Sequence, residues 1–374
     1  MAQIQMAGEF DKRIAERLKM TMKTEIAVNH NYKFDGSDTV HITSVDTVPL
    51  VNYQKSGTSR YGTPLDLGDT EQVVTLSRDR SFTFIIDKGD VQDQKIQKTA
   101  SDAMRRETDE VINPELETYR LSVMASKPGY IAVDSNLATI SGGATYIYSD
   151  ILTMNAAATN ALAPDTGRVM FMTPEAIAML LQSDGKFLQY GNVSQEMKIK
   201  GEIGEIDGCK IIQVPAAFMP ANCVVLMAHK DATVAVEKLK DFTIHENPPG
   251  INGNLVEGRL RYDAFVLDTK VPLLGCIYSA GTLLAAPTIT DGGVGTGVTI
   301  TAGTGATIKY TVDGSDPRDS LTAQTYSAAV GAAWTANGYE TTIKAVAIKA
   351  GSITSTVATK KVAYAPALTR KHGV

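Results

Sequence analysis

Residues Val40–Gln54 and Gln72–Ile86 each read as a long strand, and the text between them, KSGTSRYGTPLDLGDT, is dense in Gly, Ser, Thr and Asp. Two antiparallel strands of about 15 residues would reach on the order of 45 Å. A hairpin of that length cannot be buried in the core of its own domain. It must project or pack on something else, and that requirement limits the folds open to the chain. A second long element follows. Val91–Ala125 carries a broken apolar stripe (Ile96, Ala100, Ala103, Met104, Val111, Tyr119, Val123), which predicts a helix roughly 50 Å long. Pro114 lies inside it and is expected to kink or interrupt it.

The text around these elements mixes helix and strand patterns. Phe10, Ile14, Leu18 and Met22 recur at i, i+4 spacing and predict a short amphipathic helix, followed by an irregular arm over Asn29–Asp38. Tyr148–Ala163 reads as a helix and Arg168–Met172 as a buried strand. Thr173-Pro174-Glu175 then supplies an N-cap, a proline at the first helical position and an acid at the positive helix end. Cys209–Val214, Cys223–His229, Thr233–Leu239 and Val256–Leu267 read as strands, with Asp207-Gly208 as a turn before the first. Near Gly281 the composition shifts to Gly, Thr, Ala and Val. The short alternating runs Val298–Ile300, Thr307–Val312, Thr342–Lys349 and Thr356–Tyr364 predict a small antiparallel β-sandwich. The expectation is an α+β body over residues 1–280, a linker at 281–285, an all-β domain over 286–365 and a tail at 366–374.

Composition narrows the function classes. With 374 residues, 43% hydrophobic, most of the chain can bury a core. A net charge of -5 argues against a broad basic nucleic-acid face. Cys209, Cys223 and Cys276 form no C-x-x-C pair, so a reducing compartment is the expectation. No apolar run reaches the roughly 18 residues of a membrane span, and the N-terminal text lacks a secretory apolar region. The chain is therefore expected to be made and kept in a cytoplasm.

Catalytic patterns are absent from the text. Gly185-Lys186 lacks the rest of a phosphate loop, His245-Glu246 runs into Asn-Pro-Pro, and Gly292–Gly297 falls among strands. His30, His41, His229, His245 and His372 are isolated, and Cys209 and Cys223 read as small core residues. No catalytic residue and no cofactor is assigned. Asp313, Asp316 and Asp319 recur every three residues in VDGSDPRDS and are calcium candidates. The alternative is a turn in which Asp and Gly satisfy backbone groups. Tyr326, Trp334 and Tyr339 are candidates for a glycan platform, with half-buried packing as the alternative.

The order of parts, an arm, a long hairpin, a long helix and a compact α+β unit, resembles the Hong Kong 97-type major capsid protein of tailed bacteriophages over about Met1 to Ala280. RVMFMTPEAIAMLLQSDGKFLQYG and EIGEIDGCKIIQVPAAFMPANCVVLMAHKDATVAVEK resemble its axial-domain text. LRYDAFVLDTKVPLLGCIYSA resembles the return to the peripheral domain. The resemblance implies an N-arm at about 1–39, an extended loop at 40–87, a spine helix at 91–125 and an axial domain at 140–255. It implies a structural subunit rather than an enzyme, assembling with itself into hexamers and pentamers around double-stranded DNA held without sequence specificity. A portal and a separate scaffolding protein are the implied partners, assembly occurs in the host cytoplasm, and no membrane is involved. Lys55, Arg60 and Tyr61 at the loop tip would touch a neighbouring subunit. Some relatives crosslink subunits through a Lys–Asn bond; Lys55 has no matched partner Asn or catalytic acid here.

Tyr310–Pro317 (YTVDGSDP) and Ile343–Ala347 (IKAVA) make the C-terminal domain similar to the immunoglobulin-like module of chitobiase C-termini, also called fibronectin type III-associated. That likeness implies outward display and adhesion to host-surface glycans, so an alternative to a capsid subunit is a carbohydrate-binding or adhesion protein. A hydrolase would need a carboxylate pair in a cleft, and none is identifiable.

Overall fold

The computed structural model describes residues 22–32, 39–45, 47, 50–58, 60–62, 69–87, 100–183, 204–331 and 341–362. Nearly all of the amphipathic helix expected at Phe10–Met22, the start of the long helix, Trp334, Tyr339, His372 and the tail lie outside them.

A 3-10 turn, Thr24–Ala27, leads into β1 (Val28–Asn29). The hairpin is β2 (Thr39–Val45) and β3 (Asp69–Thr75), paired antiparallel from Thr39–Thr75 to Val45–Asp69. It is about half the length its sequence suggests, because the second run breaks at Leu76-Ser77. Leu76 is buried with Val234, Val236, Phe265 and Leu267, and the Ser77 amide donates to Asp263 Oδ2 at 2.7 Å. Beyond the break, β4 (Arg78–Asp87) leaves the hairpin and joins the body.

The long helix contains α1 (Ala100–Glu107) and α2 (Asn113–Met124), joined by a π-type turn over Thr108–Ile112. Pro114 cannot donate to the carbonyl one turn back. The widened turn absorbs that loss without breaking the rod. β5 (Tyr130–Val133), α3 (Ile140–Asn160), β6 (Arg168–Met172) and α4 (Pro174–Gln182) follow. Thr173 caps α4 by accepting from the Ala176 amide at 3.2 Å. Thr173→Ala is expected to cost about 1 kcal/mol, read as a lower urea midpoint with an unchanged slope.

β7 (Glu205–Ile206) and β8 (Cys209–Gln213) flank Asp207 and Gly208, whose φ values of 49° and 73° fit a two-residue hairpin. β9 (Cys223–His229), β10 (Thr233–Glu246), β11 (Gly253–Val266) and β12 (Gly275–Tyr278) complete the body.

Two sheets result. One has the order β1-β10-β11-β4, with the long helix packed beside β11 through Ile112, Leu116, Leu260 and Tyr262. The other is six-stranded, β5-β12-β9-β6-β8-β7. It shares the main core with α3 and α4, through Ile147, Ile151, Met154, Met179, Leu180 and the wholly buried β6 and β9. The division differs from the expected axial span of 140–255. Tyr130–Val133 and Gly275–Tyr278 belong to the six-stranded sheet, while Thr233–Asn254 belong to the other. The closing segment LRYDAFVLDTKVPLLGCIYSA likewise crosses from one sheet to the other, through a 3-10 turn at Asp268–Leu273. Among the described residues no helix is long and apolar enough to cross a membrane.

The C-terminal domain pairs β13 (Thr288–Asp291) with β14 (Val298–Thr301). It also orders β15 (Thr307–Thr311), β16 (Gln324–Thr325), β17 (Thr341–Ile348) and β18 (Ala358–Val362) as β16-β15-β17-β18. Val298, Ile300, Val330, Ile343, Ala345 and Val362 fill its core. The segment expected as a linker is itself paired: the Leu284 amide donates to Ile353 O at 3.1 Å, and the Ile353 amide to Thr282 O at 2.8 Å.

Candidate interaction surfaces

The hairpin tip is a closed loop. The Gln54 amide donates to Arg60 O at 2.9 Å, and Arg60 Nε donates to Gly57 O at 3.2 Å. Tyr53 and Tyr61 meet edge to face with centroids 5.1 Å apart. Leu50 is fully exposed, Tyr61 is 84% exposed, and Val45, Val51 and Tyr53 are each more than half exposed. A folded chain rarely leaves such a group of large apolar side chains in water without a partner for them. Lys55, Arg60 and Tyr61 all lie on this exposed tip. Sequence reasoning missed Leu50, Val51 and Tyr53. The signal was the apolar stretch VPLVNY, which had been absorbed into a strand.

The root of the chain is held by buried charge. Glu117 on α2 accepts from the Lys23 and Thr24 amides and from Thr24 Oγ1, at 3.1–3.4 Å. Burial raises its carboxyl above the usual carboxylate range, against the pull of those donors. One turn on, the buried Arg120 pairs with Glu25 at 2.5 Å and Glu237 at 3.5 Å. The arm is thus fastened to the helix and to β10. Along β4, Arg80 pairs with Glu115 at 2.8 Å, and Tyr262 donates to the same carboxylate at 2.9 Å.

Histidines serve local contacts. His30 bridges Glu25 and Ala235 O, His41 meets Glu71 at 2.6 Å, and His229 meets Thr166 O at 3.1 Å. The cysteines are free and buried. Burial pushes the Cys209 thiol up to about 11, so it is not a nucleophile at neutral pH.

One carboxyl pair stands out. Asp134 caps a 3-10 turn by accepting from the Asn136 amide at 2.9 Å, and Asp150 on α3 lies beside it. Burial first, and the Asp134 charge second, raise Asp150 to about 6. Because the folded value exceeds the unfolded one, ionisation of Asp150 penalises the fold above pH 6, and the penalty fades as pH falls. Asp150→Asn is expected to raise stability at pH 7.5 by on the order of 1 kcal/mol after solvent screening, and to change little at pH 4. Thermal melts at the two pH values check this.

The three aspartates of the C-terminal domain do not converge. Asp313 accepts from the Ser315 amide and hydroxyl and from Thr322 Oγ1, at 2.5–3.0 Å, which is the turn alternative. Asp316 makes a two-pronged pair with Arg318, at 2.6 Å on one prong. Burial alone would raise its carboxyl, but Arg318 and then Lys127 hold it below the usual range. Asp319 pairs with Lys127. Among the described residues no group of three or more His, Cys, Asp or Glu is arranged to hold a metal ion. Tyr326 packs half-buried against the domain core and edge-on to Tyr310, centroids 6.2 Å apart. Its ring is thereby used in packing, and its two companions in the glycan reading lie outside the described residues.

Comparison with known proteins follows this division of the chain. Residues 298–362 match the family model described as "Fn3 associated". No curated protein sequence matches the chain. Solved structures do. One from Mycobacterium phage Che8 aligns with a TM-score of 0.60 at 15% identity, covering 73% of this chain and 97% of that one. The capsid structure of cyanophage P-SCSP1u gives 0.59 at 11% identity, covering 74% and 93%. The mature capsid of bacteriophage PhiM1 gives 0.56 at 14%, covering 73% and 91%. The chain therefore combines the Hong Kong 97-type capsid fold of tailed phages with a C-terminal domain of the Fn3-associated kind.

Proposed function

We propose that the protein is the major capsid subunit of a tailed phage, a structural protein that assembles with itself into the icosahedral head around double-stranded DNA. The observation that carries this reading is the exposed apolar hairpin tip on a capsid fold. Among the described residues Leu50, Val51, Tyr53 and Tyr61 are largely exposed and fit burial against a neighbouring copy. Lys55 and Arg60 would flank that contact. Each contact need only be modest, since burial contributes roughly 25 cal/mol per Å² and a closed shell repeats it many times. The net charge of -5 suits a lining that does not grip DNA tightly. A portal and a scaffolding protein complete the proposed partners, the virion is the proposed location with assembly in the host cytoplasm, and the subunit acts without a catalytic site. The C-terminal domain would be displayed on the outside, where weak glycan contact is its proposed secondary role.

Sedimentation of the purified full chain, alone and with its scaffolding protein, tests the assignment. Species the size of capsomers or shells are expected. A monomer at every concentration in both arms contradicts it.

A further inference from the structure

Among the described residues, three parts of the chain meet where the C-terminal domain touches the body around Lys127. Lys127, just past the end of α2, is buried, with Nζ 2.9 Å from the buried Asp268 Oδ1. The same ammonium pairs with Asp319 of the C-terminal domain. Asp268 Oδ2 accepts from the Asp316 amide at 3.0 Å. Arg318, itself paired with Asp316, donates to Pro128 O at 3.3 Å. The hairpin enters at the same point. Gln72 on β3 donates to Val266 O at 2.8 Å and accepts from the Asp268 amide at 3.1 Å. Gly314, at φ +77°, faces Thr70 so closely that an added Cβ would lie 3.4 Å from its Oγ1. Ile353, which pairs with the 282–284 segment, packs on the main core of the body.

We infer that the C-terminal domain is an intrachain brace: the Lys127–Asp319 ion pair and the hydrogen bonds from the Asp316 amide to Asp268 and from Arg318 to Pro128 O lock it to the body, and it holds the root of the extended hairpin at a fixed angle. The chemistry favours a lock over a tether. Lys127, Asp268, Asp316 and Arg318 all have side chains less than 10% exposed. Removing one partner of such a set strands a buried charge, whereas surface pairs contribute little. The hairpin itself has only two short strands, and an isolated two-stranded ribbon is marginally stable in water. Its direction must come from what grips its root: Val40, Ile42 and Val74 pack on the body, Gln72 bonds to it, and Thr70 lies against Gly314 of the C-terminal domain. The inference concerns a single chain and stands whether or not the protein forms shells.

Backbone amide exchange on the full chain tests it. In Arg318→Ala, peptides covering 282–284 and 350–355 should exchange at least about tenfold faster as the domain is released, and those covering 69–75 should follow by a similar factor. Strands 168–172 and 223–229 should not change, which separates release from global unfolding. Release of the domain with no change at 69–75 overturns the brace, and so does a domain that stays protected in the variant. A second measurement needs no variant. Lys270, Lys344 and Lys361 line one cavity between hairpin, body and domain, so a short amine-reactive crosslinker on the wild-type monomer should join Lys270 to Lys344 or Lys361. Failure to recover either link overturns the docked arrangement.

Discussion

A chain carrying Leu50→Asp and Tyr61→Asp together is expected to fold normally and to lose assembly, with particle yield down by at least tenfold. Both side chains lie on the closed tip, in water, outside every core cluster. Substitutions at such positions change monomer stability by only about 0.5 kcal/mol. Burying a Leu-sized side chain contributes about 1.5–3 kcal/mol per contact, and placing a carboxylate there replaces that gain with a desolvation cost. A shell multiplies the loss over every subunit. Electron microscopy counts particles and a thermal melt reads the monomer. Wild-type yield from this variant would remove the tip from the assembly interface.

The second large effect is on folding. Arg168 begins β6 and is almost wholly buried. Its guanidinium donates to Pro164 O at 2.7 Å, Ala163 O at 2.8 Å and Thr159 Oγ1 at 3.0 Å, and it also reaches Asn155 Oδ1 and Asp165. The acceptors are the end of α3 and the loop after it, where carbonyls lack helical donors and a cation is favoured. That loop includes Leu162 at φ 62°, a conformation a branched side chain adopts only when its surroundings hold it. Asn155 passes the tie onward by donating to Asp207 Oδ2 at 2.6 Å in the β7–β8 turn. Arg168→Met keeps the volume and strands these acceptors, at a cost of about 3–5 kcal/mol. Urea unfolding should show this loss as a lower midpoint with an unchanged slope. A change below about 1 kcal/mol would mean water satisfies the site.

What the sequence made legible was local. Arg168–Met172 and Cys223–His229 stand where their apolar runs put them, because a strand buried on both faces needs no partner to be recognised. Thr173 and Asp207-Gly208 announced a cap and a turn through side-chain and backbone chemistry that acts within three residues. Pro114 announced an interruption for the same reason. What stayed hidden depends on distant partners. The break at Leu76-Ser77 is set by Asp263, 186 residues away, so the text read as one long strand. Asp313, Asp316 and Asp319 read as calcium candidates beside a turn alternative; that Asp316 and Asp319 pair with Arg318 and the remote Lys127 is something spacing cannot show. The extent of β10 was underestimated because its outer half, residues 240–246, is largely exposed and carries Lys240, Asp241 and Glu246. At the tip the reading selected Lys55, Arg60 and Tyr61, all exposed, while the structure also exposes Leu50, Val51 and Tyr53 beside them.

Under the proposed function, this chain builds a shell by burying its hairpin tip on a neighbour. Electron cryomicroscopy of the chain purified after co-expression with the proposed scaffolding protein tests it most directly. Closed icosahedral particles, with density for Leu50, Tyr53 and Tyr61 seated on the adjacent subunit, are the predicted result. Particles in which that tip stands free in solvent, or monodisperse monomers with no particles at all, would contradict it.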